Sequence, residues 1–138
     1  KTLTPDALVT ALEAGQFYSS SGVSLTRVAV TDGRLSVTVA ADADTDYRID
    51  FIGTRKGFDD TTAPAVDDQE KAKRHSLRYS SDVGMVLQST TGSSGVYQFT
   101  GDELYVRAIV TSSRLHSNPS ELGDFQQAWI QPVVPNTP

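Results

Sequence analysis

The sequence predicts a mainly β protein, an immunoglobulin-like β-sandwich of about seven strands with one short N-terminal helix. Three observations favour this fold. Short stretches of alternating apolar and polar residues recur along the chain, turn-forming residues separate them, and only one stretch carries helix signals. A jelly roll, which also packs two antiparallel sheets, is the alternative. With 138 residues, the chain has the size of a single domain.

The helix is predicted close to the N-terminus. Thr4 is a suitable N-cap, and Pro5 suits the first helical position. Leu8 and Leu12 recur at helical spacing and form an apolar face, and Gly15 is placed to end the helix. Because a helix this short is unstable alone, we expect its apolar face to pack against another surface.

The clearest strand signal is the hairpin RVAVTDGRLSVTV. Its Asp32-Gly33 pair suits a two-residue type I′ turn. Such a turn places Val30 opposite Leu35 and Val28 opposite Val37, with all four side chains on one side of the sheet. The turn therefore predicts both the register and the buried face of this pair of strands.

Further strands follow the same alternating pattern along the chain. They are predicted at Tyr47–Phe51, Val83–Gln88, Gly95–Phe99, Glu103–Ser112 and Gln127–Val134. In the strand that begins at Glu103, one face carries Leu104, Val106, Ala108 and Val110. Tyr105 and Ile109 on the other face indicate a central strand. Residues 57–76 hold many charges and hardly any large apolar residue, so a long polar loop is predicted there, with a helical turn at Asp67–Arg74.

The composition disfavours several classes of function. The formal net charge of −5 argues against nucleic-acid binding, because neutralising phosphates requires a basic surface. The absence of cysteine removes disulfides, thiolate metal sites and a cysteine nucleophile. No apolar run approaches the ~18 residues of a transmembrane helix, so no membrane partner is predicted.

The residues do not predict a catalytic or metal-binding set. His75 and His116 are the only histidines and lie far apart in the sequence, so we expect both to face solvent. Asp59-Asp60 and Asp67-Asp68 form two acidic pairs, but they lack the EF-hand spacing and lie among basic residues. Ser19–Ser21 lack the strand-to-helix Gly-x-Ser-x-Gly context of an activated nucleophile, and we interpret them as close-packing strand residues.

Two candidate binding sites remain. Arg55 and Lys56, at the end of the third predicted strand, could hold an anion beside a glycine turn, although a charged strand end is the commoner explanation for such a pair. The rings of Phe58, Tyr79 and Tyr97 are candidates for stacking on sugars. The single tryptophan, Trp129, is instead expected to be buried, as in many sandwiches.

The first 22 residues carry a more specific signal. TPDALVTALEAGQFYSSSGV resembles a segment of bacterial proteins with a PHP (polymerase and histidinol phosphatase) domain, predicted metal-dependent phosphoesterases. There, a helix of the form T-P-x-A-L-x-x-A-L-x-A-G-x-F-Y-x-S-x-G closes the catalytic domain. The matching residues are Thr4, Pro5, Leu8, Ala11, Leu12, Gly15, Phe17, Tyr18, Ser20 and Gly22. FIGTRKG, ELYVRAIVTSS and QAWIQPV look like segments of the β-domain that follows in those proteins.

The resemblance implies a division of the chain. Residues 1–22 would be the tail of a preceding catalytic-type domain, a helix plus a joining strand, and residues 23–134 a β-sandwich domain. PHP chemistry uses His and acidic ligands around a cluster of divalent metals, and none of those ligands can be carried onto a residue here. The resemblance therefore implies no catalytic residue, cofactor or metal in this chain, whereas its parent would bind divalent metals in the missing domain and would be exported.

The function implied is that of a non-catalytic accessory domain with a structural role. Its partner would be the N-terminal catalytic domain of the same polypeptide, packed on a face formed by Leu8, Leu12 and Phe17. Self-association through that face is a second expectation. Two alternatives from other classes are a module that binds a carbohydrate or cell-surface ligand and an independent enzyme. If the three docking residues are exposed, the accessory-domain hypothesis is supported. If they are fully buried against the chain's own sandwich, it fails.

Overall fold

The computed structural model describes residues 3–66 and 72–135, without the side chains of residues 72–75. This part of the chain contains one helix, α1 (Pro5–Glu13), and ten strands. The strands are β1 (Tyr18–Ser20), β2 (Leu25–Thr31), β3 (Arg34–Val39), β4 (Tyr47–Arg55), β5 (Thr62–Val66), β6 (Ala72–Tyr79), β7 (Met85–Thr91), β8 (Ser94–Gln98), β9 (Glu103–Leu115) and β10 (Phe125–Ile130). The mainly β prediction is confirmed, with ten strands rather than about seven.

Two antiparallel sheets share one core. The first has the order β1-β10-β9-β4-β7 and the second the order β2-β3-β8. Their inward-facing side chains form a single apolar cluster, the arrangement of a β-sandwich. The fully buried members are Leu35, Val37, Ile49, Phe51, Val106, Ala108, Val110 and Ala128. The immunoglobulin-like topology and the jelly roll remain predictions.

The β2–β3 hairpin forms as its turn predicts. Asp32 and Gly33 both have positive φ, 51° and 68°, as a type I′ turn requires. Val30 pairs with Leu35, and Val28 pairs with Val37. The two strands differ in burial, however. Leu35 and Val37 of β3 are fully buried, whereas the two valines of β2 are about half exposed. The inner face of β2 therefore lies at an opening in the sandwich.

Strand β9 lies at the centre of the five-stranded sheet, between β10 and β4, as predicted. Val106, Ala108 and Val110 face the core, but Leu104 is partly exposed, which corrects its predicted place on that face. The cause is a shift of register between Thr54 and Arg55 where β4 pairs with the start of β9. The extra β9 residue breaks the alternation there.

The expectation of a buried tryptophan is wrong. On β10 the inward positions belong to Ala128 and Ile130, both buried. Trp129 therefore points to the outer face of the sheet, where it pairs with Ser19 and Ile109 and is partly exposed. Small and medium side chains fill the inward positions of β10, and the alternation of the strand places the indole on the opposite face.

The predicted polar loop at residues 57–76 is also wrong in its described part. β5 lies within it and β6 begins within it, and the two form a separate antiparallel hairpin. Leu77 and Tyr79 of this hairpin are exposed, so backbone pairing rather than core burial accounts for it. Of the helical turn predicted at Asp67–Arg74, residues 67–71 lie outside the described part and residues 72–74 belong to β6.

The N-terminal boundary differs from the predicted one at residue 22. Strand β1 pairs with β10, so the sandwich begins at Tyr18. Ser21 continues this contact, because its N–H donates to the carbonyl of Gln127 over 2.9 Å and its Oγ accepts from the Gln127 N–H over 2.9 Å. Of the described residues before Tyr18, the helix and the short segment after it lie outside the sheets.

Candidate docking surface

Helix α1 is well defined by its own sequence. The Thr4 hydroxyl caps the first turn. At the other end, the N–H of Gln16 donates to the carbonyl of Ala11 over 2.8 Å, and that of Gly15 donates to Leu12 over 3.1 Å. These two bonds and the positive φ of Gly15, 66°, constitute a Schellman motif. The motif fixes the direction in which the chain leaves the helix.

The apolar face of α1 is open to solvent. No residue of the helix is buried. Leu8 is 49% exposed and Leu12 is 58% exposed, and Val9 beside them is exposed to a similar degree. A nine-residue helix gains too little from its own hydrogen bonds to be stable unsupported. The structure thus leaves uncovered the surface that such a helix needs to bury.

A groove continues from the segment that follows the helix. Residues 14–18, the strand β2 and residues 130–133 enclose a volume of about 590 Å³. Phe17, which is 44% exposed, and the inner-face residues Val28 and Val30 give the groove an apolar lining. Arg27 is the one charged residue that lines it among those that the structure describes. The predicted docking residue Phe17 therefore belongs to a concave apolar surface.

The serines between α1 and β2 are structural. Ser20 Oγ donates to the carbonyl of Val23 over 2.6 Å and accepts from the N–H of Gly22 over 3.0 Å. Gly22 has a φ of 144°, and a β-carbon there would lie 2.6 Å from the side chain of Gln126. These contacts agree with the interpretation of Ser19–Ser21 as close-packing residues, and they anchor the segment that carries Phe17.

Both residues predicted to bind an anion, Arg55 and Lys56, already have partners within the chain. Arg55 Nη1 lies 2.7 Å and 2.8 Å from the two carboxylate oxygens of Asp102. Asp102 raises the pKa of Arg55, and the pKa of Asp102 is lowered by the Thr100 hydroxyl and then by Arg55. Lys56 Nζ donates to the carbonyl of Gly101 over 2.9 Å. The donors proposed for an anion thus bind the turn before β9, and the anion contact stays a prediction.

A buried carboxylate beside this turn is the feature that the sequence analysis missed. Glu103 is buried and accepts hydrogen bonds from the hydroxyl of Tyr97 over 2.6 Å, the N–H of Thr100 over 3.0 Å and the N–H of Gly101 over 3.0 Å. Burial alone would raise the pKa of Glu103, but these bonds lower it to about 2. Burial, and after it the hydrogen bond to Glu103, raises the pKa of the Tyr97 hydroxyl to about 12.

This Glu103 network is saturated rather than poised to react. The carboxylate has partners for both oxygens, and no buried side-chain polar atom among the described residues lacks a partner. The signal available in the sequence was the turn TGDE directly before a strong strand, where a side chain can cap the turn's free N–H groups. We therefore interpret the network as a clamp that fixes the β8–β9 turn.

The remaining candidates are separated in space or lie outside the described part. The side chain of His75 is not described, and His116 Nδ1 accepts from the N–H of Asn118 over 3.0 Å. Asp59 accepts from the N–H of Thr61, which lowers the pKa of its carboxyl. Asp60 is exposed, whereas Asp67-Asp68 lie outside the described part. Within residues 3–66 and 72–135, no group of three His, Asp or Glu side chains is placed to hold a metal.

The three candidate sugar-binding rings do not form one platform. Tyr97 is buried in the core, where its ring lies 5.7 Å from that of Phe51. Phe58 is partly buried, and only Tyr79 is well exposed. Because a sugar can stack only on an exposed ring, the buried Tyr97 is removed as a candidate.

Comparison of the sequence with known proteins gives no match. No protein-family model matches the sequence, and neither a curated protein nor a solved structure matches it. Among the helices in the described ranges, none is long and apolar enough to cross a membrane. The apolar surface of α1 and the groove are therefore the features of the molecule that bear on its function.

Proposed function

We propose that this chain is a non-catalytic accessory β-sandwich that packs through α1 on the catalytic domain of a PHP-type metal-dependent phosphoesterase. The observation that carries the proposal is the uncovered apolar face of α1, where Leu8 and Leu12 are 49% and 58% exposed. Burying one leucine side chain contributes roughly 1.5–3 kcal/mol, so a covering surface would stabilise a helix that is marginal alone.

The resemblance of residues 4–22 to the helix that closes a PHP domain is the reason for naming this partner. In that arrangement α1 belongs to the catalytic domain, and the Schellman motif at Gly15 directs the chain into β1 of the sandwich. Phe17, beside the groove, would lie at the join. The role of the sandwich is then to cap the catalytic domain and to shape the rim of its site.

The connectivity of the sandwich supports the immunoglobulin-like interpretation. Apart from β1, the two facing sheets contain seven strands, and the first, second and fifth of them form the sheet β2-β3-β8. The third, fourth, sixth and seventh form β7-β4-β9-β10. An immunoglobulin constant domain has the same distribution except that its fourth strand lies in the other sheet. The hairpin β5–β6 is an insertion between the third and fourth strands.

The decisive experiment compares this chain with the full-length polypeptide that contains it. We expect the coding sequence upstream to encode a barrel rich in His and Asp. The full-length protein should hydrolyse a simple phosphoester such as p-nitrophenyl phosphate when Mn²⁺ is added, whereas the present chain should not. An upstream sequence without such a domain, or turnover by this chain alone, would contradict the proposal.

A double variant tests the docking face itself. Leu8→Ser with Leu12→Ser should lower the melting temperature of the full-length catalytic domain by several degrees, because the removed side chains are buried only in the complete protein. In the isolated chain the same change should leave the melting of the sandwich within about 2 °C. Leu115→Ser with Leu122→Ser, which alters two exposed leucines away from α1, is the matched control. Equal effects of the two pairs would reject the docking face.

A further inference from the structure

The edges of the two sheets are protected unequally. On one side of the sandwich, the edge strands β7 and β8 are bridged by Gln88, whose side-chain amide donates to the carbonyl of Val96 over 2.8 Å. On the other side the edges are β1, which has three residues, and β2, which has seven. The start of β2 is protected, because a bulge lies between Leu25 and Arg27 and the N–H of Leu25 donates to the Tyr18 hydroxyl over 3.1 Å. Residues 28–31 contain no proline and no inward-facing charge, the other devices that prevent pairing with another strand. Among the described residues, this part of β2 is the open edge.

The hairpin geometry determines which backbone groups this edge presents. In a two-residue hairpin the residues that flank the turn, here Thr31 and Arg34, exchange hydrogen bonds, and the following pairs alternate. Ala29 is therefore a hydrogen-bonded partner of Ser36. Val28 and Val30 occupy the intervening positions, so their N–H and C=O groups point away from β3 and toward the open side.

We propose that β2 pairs with the β2 strand of a second copy of this chain, antiparallel and across a two-fold axis at Ala29. This register places Val28 of each copy opposite Val30 of the other, and so matches all the outward-pointing groups of these valines. A two-fold axis at Val28 would instead place Val30 opposite Thr26 and leave a valine without an apolar neighbour. The apolar face of α1 takes no part in this contact.

The side chains of β2 suit this self-pairing on both faces. On the inner face, Val28 and Val30 are 43% and 49% exposed, and the four valines of two copies would cover one another above the groove. On the outer face Arg27 falls opposite Thr31, so no like charges oppose each other across the pair. The strand can thus face a copy of itself with its valines covered and no like charges opposed.

The size of the contact indicates a weak dimer. One strand and a few half-exposed side chains bury less than the ~800 Å² per partner of a standard interface. Each copy also has a formal net charge of −5, which opposes association at low salt. We therefore expect a dissociation constant on the order of 100 μM that decreases as salt screens the repulsion.

A cysteine placed on the two-fold axis tests the register. The chain has no cysteine, so Ala29→Cys introduces a single thiol. At a non-hydrogen-bonded pair the two Cα atoms lie about 4.5 Å apart, within the range that a disulfide spans. Under mild oxidation, Ala29→Cys should form a covalent dimer at least ten times faster than Val96→Cys, an exposed position at the protected edge of the same sheet. Equal rates for the two variants would overturn the proposal.

A non-covalent measurement separates this surface from the helix face. In sedimentation equilibrium of the whole chain, Val28→Lys should abolish the dimer because it places a charge on the inner face, whereas Val96→Lys should not. Circular dichroism melting verifies that both variants fold. Leu8→Ser with Leu12→Ser should leave the dimer unchanged. A dimer that survives Val28→Lys, or that is lost only in the helix variant, would show that β2 is not the interface.

Discussion

Glu103 is the residue whose environment departs most from that of its free side chain. Its carboxylate is buried at the start of β9, and the N–H groups of the preceding turn and the hydroxyl of Tyr97 hydrogen-bond to it. Because these bonds favour the charged form by more than burial opposes it, the pKa is lowered from 4.5 to about 2. The folded state therefore stabilises the ionised carboxylate of Glu103 more than the unfolded state does.

Glu103→Gln should lower the free energy of unfolding by roughly 3 kcal/mol at pH 7, because the favourable ionised form is lost and an amide donor meets the turn's N–H groups. The wild-type contribution is complete above pH 4.5 and is lost as the pH falls toward 2. The difference between the two proteins should therefore narrow across that window. Urea unfolding from pH 7 to pH 2.5 measures it, with Glu121→Gln as the exposed control. A difference that does not change with pH would contradict this account.

Single residues also show where prediction from the sequence succeeds. The pair Asp32-Gly33 specifies its turn through local backbone preference alone, so the register of β2 and β3 follows without knowledge of the rest of the chain. Trp129 and Leu104 are different, because the face to which each points depends on a partner strand and its register shifts. The partners of Glu103, by contrast, are Tyr97, Thr100 and Gly101, all within six residues of it, so the turn TGDE carried a local signal for the network.

At the scale of elements, α1 is determined by its caps but has no covering surface in the described chain. Its start and end residues were predictable because capping and the Schellman motif are local. The hairpin β5–β6 was not predictable from apolar periodicity, since its apolar side chains are few and exposed. Periodicity identifies strands that bury a face, and this hairpin buries none that the structure describes.

The unsupported state of α1 leads to a prediction about its cap. Thr4→Ala removes the bond from the N–H of Ala7 to the Thr4 hydroxyl, which should cost about 1 kcal/mol of helix stability. We expect faster amide hydrogen exchange across Pro5–Glu13 and no change in the melting of the sandwich. Thr10→Ala is the matched control with the opposite sign, because the Thr10 hydroxyl bonds only back to the carbonyl of Asp6 and alanine favours the helix. Exchange that is slow and equal in both variants would mean that α1 is supported by the chain itself.

At the scale of the whole molecule, stability resides in the two facing sheets. Among the side chains that the structure describes, all the large and fully buried ones lie in strands of these sheets, and Phe51 is the largest of them. The helix α1 and the hairpin β5–β6 extend from this unit, and none of their described side chains belongs to its core. The sandwich should therefore fold as one cooperative unit, with both extensions available for contacts beyond it.

Replacing residues 61–79 with two glycines tests this view of the molecule. The base of the hairpin is already closed, since Ser80 Oγ donates to the carbonyl of Asp59 over 2.6 Å, so a short turn can span the gap. We expect the melting temperature to stay within about 3 °C of that of the intact chain, because no described residue of the hairpin belongs to the core cluster and the shorter loop costs little entropy. Phe51→Ala, which empties a fully buried site, should by contrast lower it by more than about 10 °C. If the shortened chain lost as much stability as Phe51→Ala, the hairpin would have to be part of the folding unit.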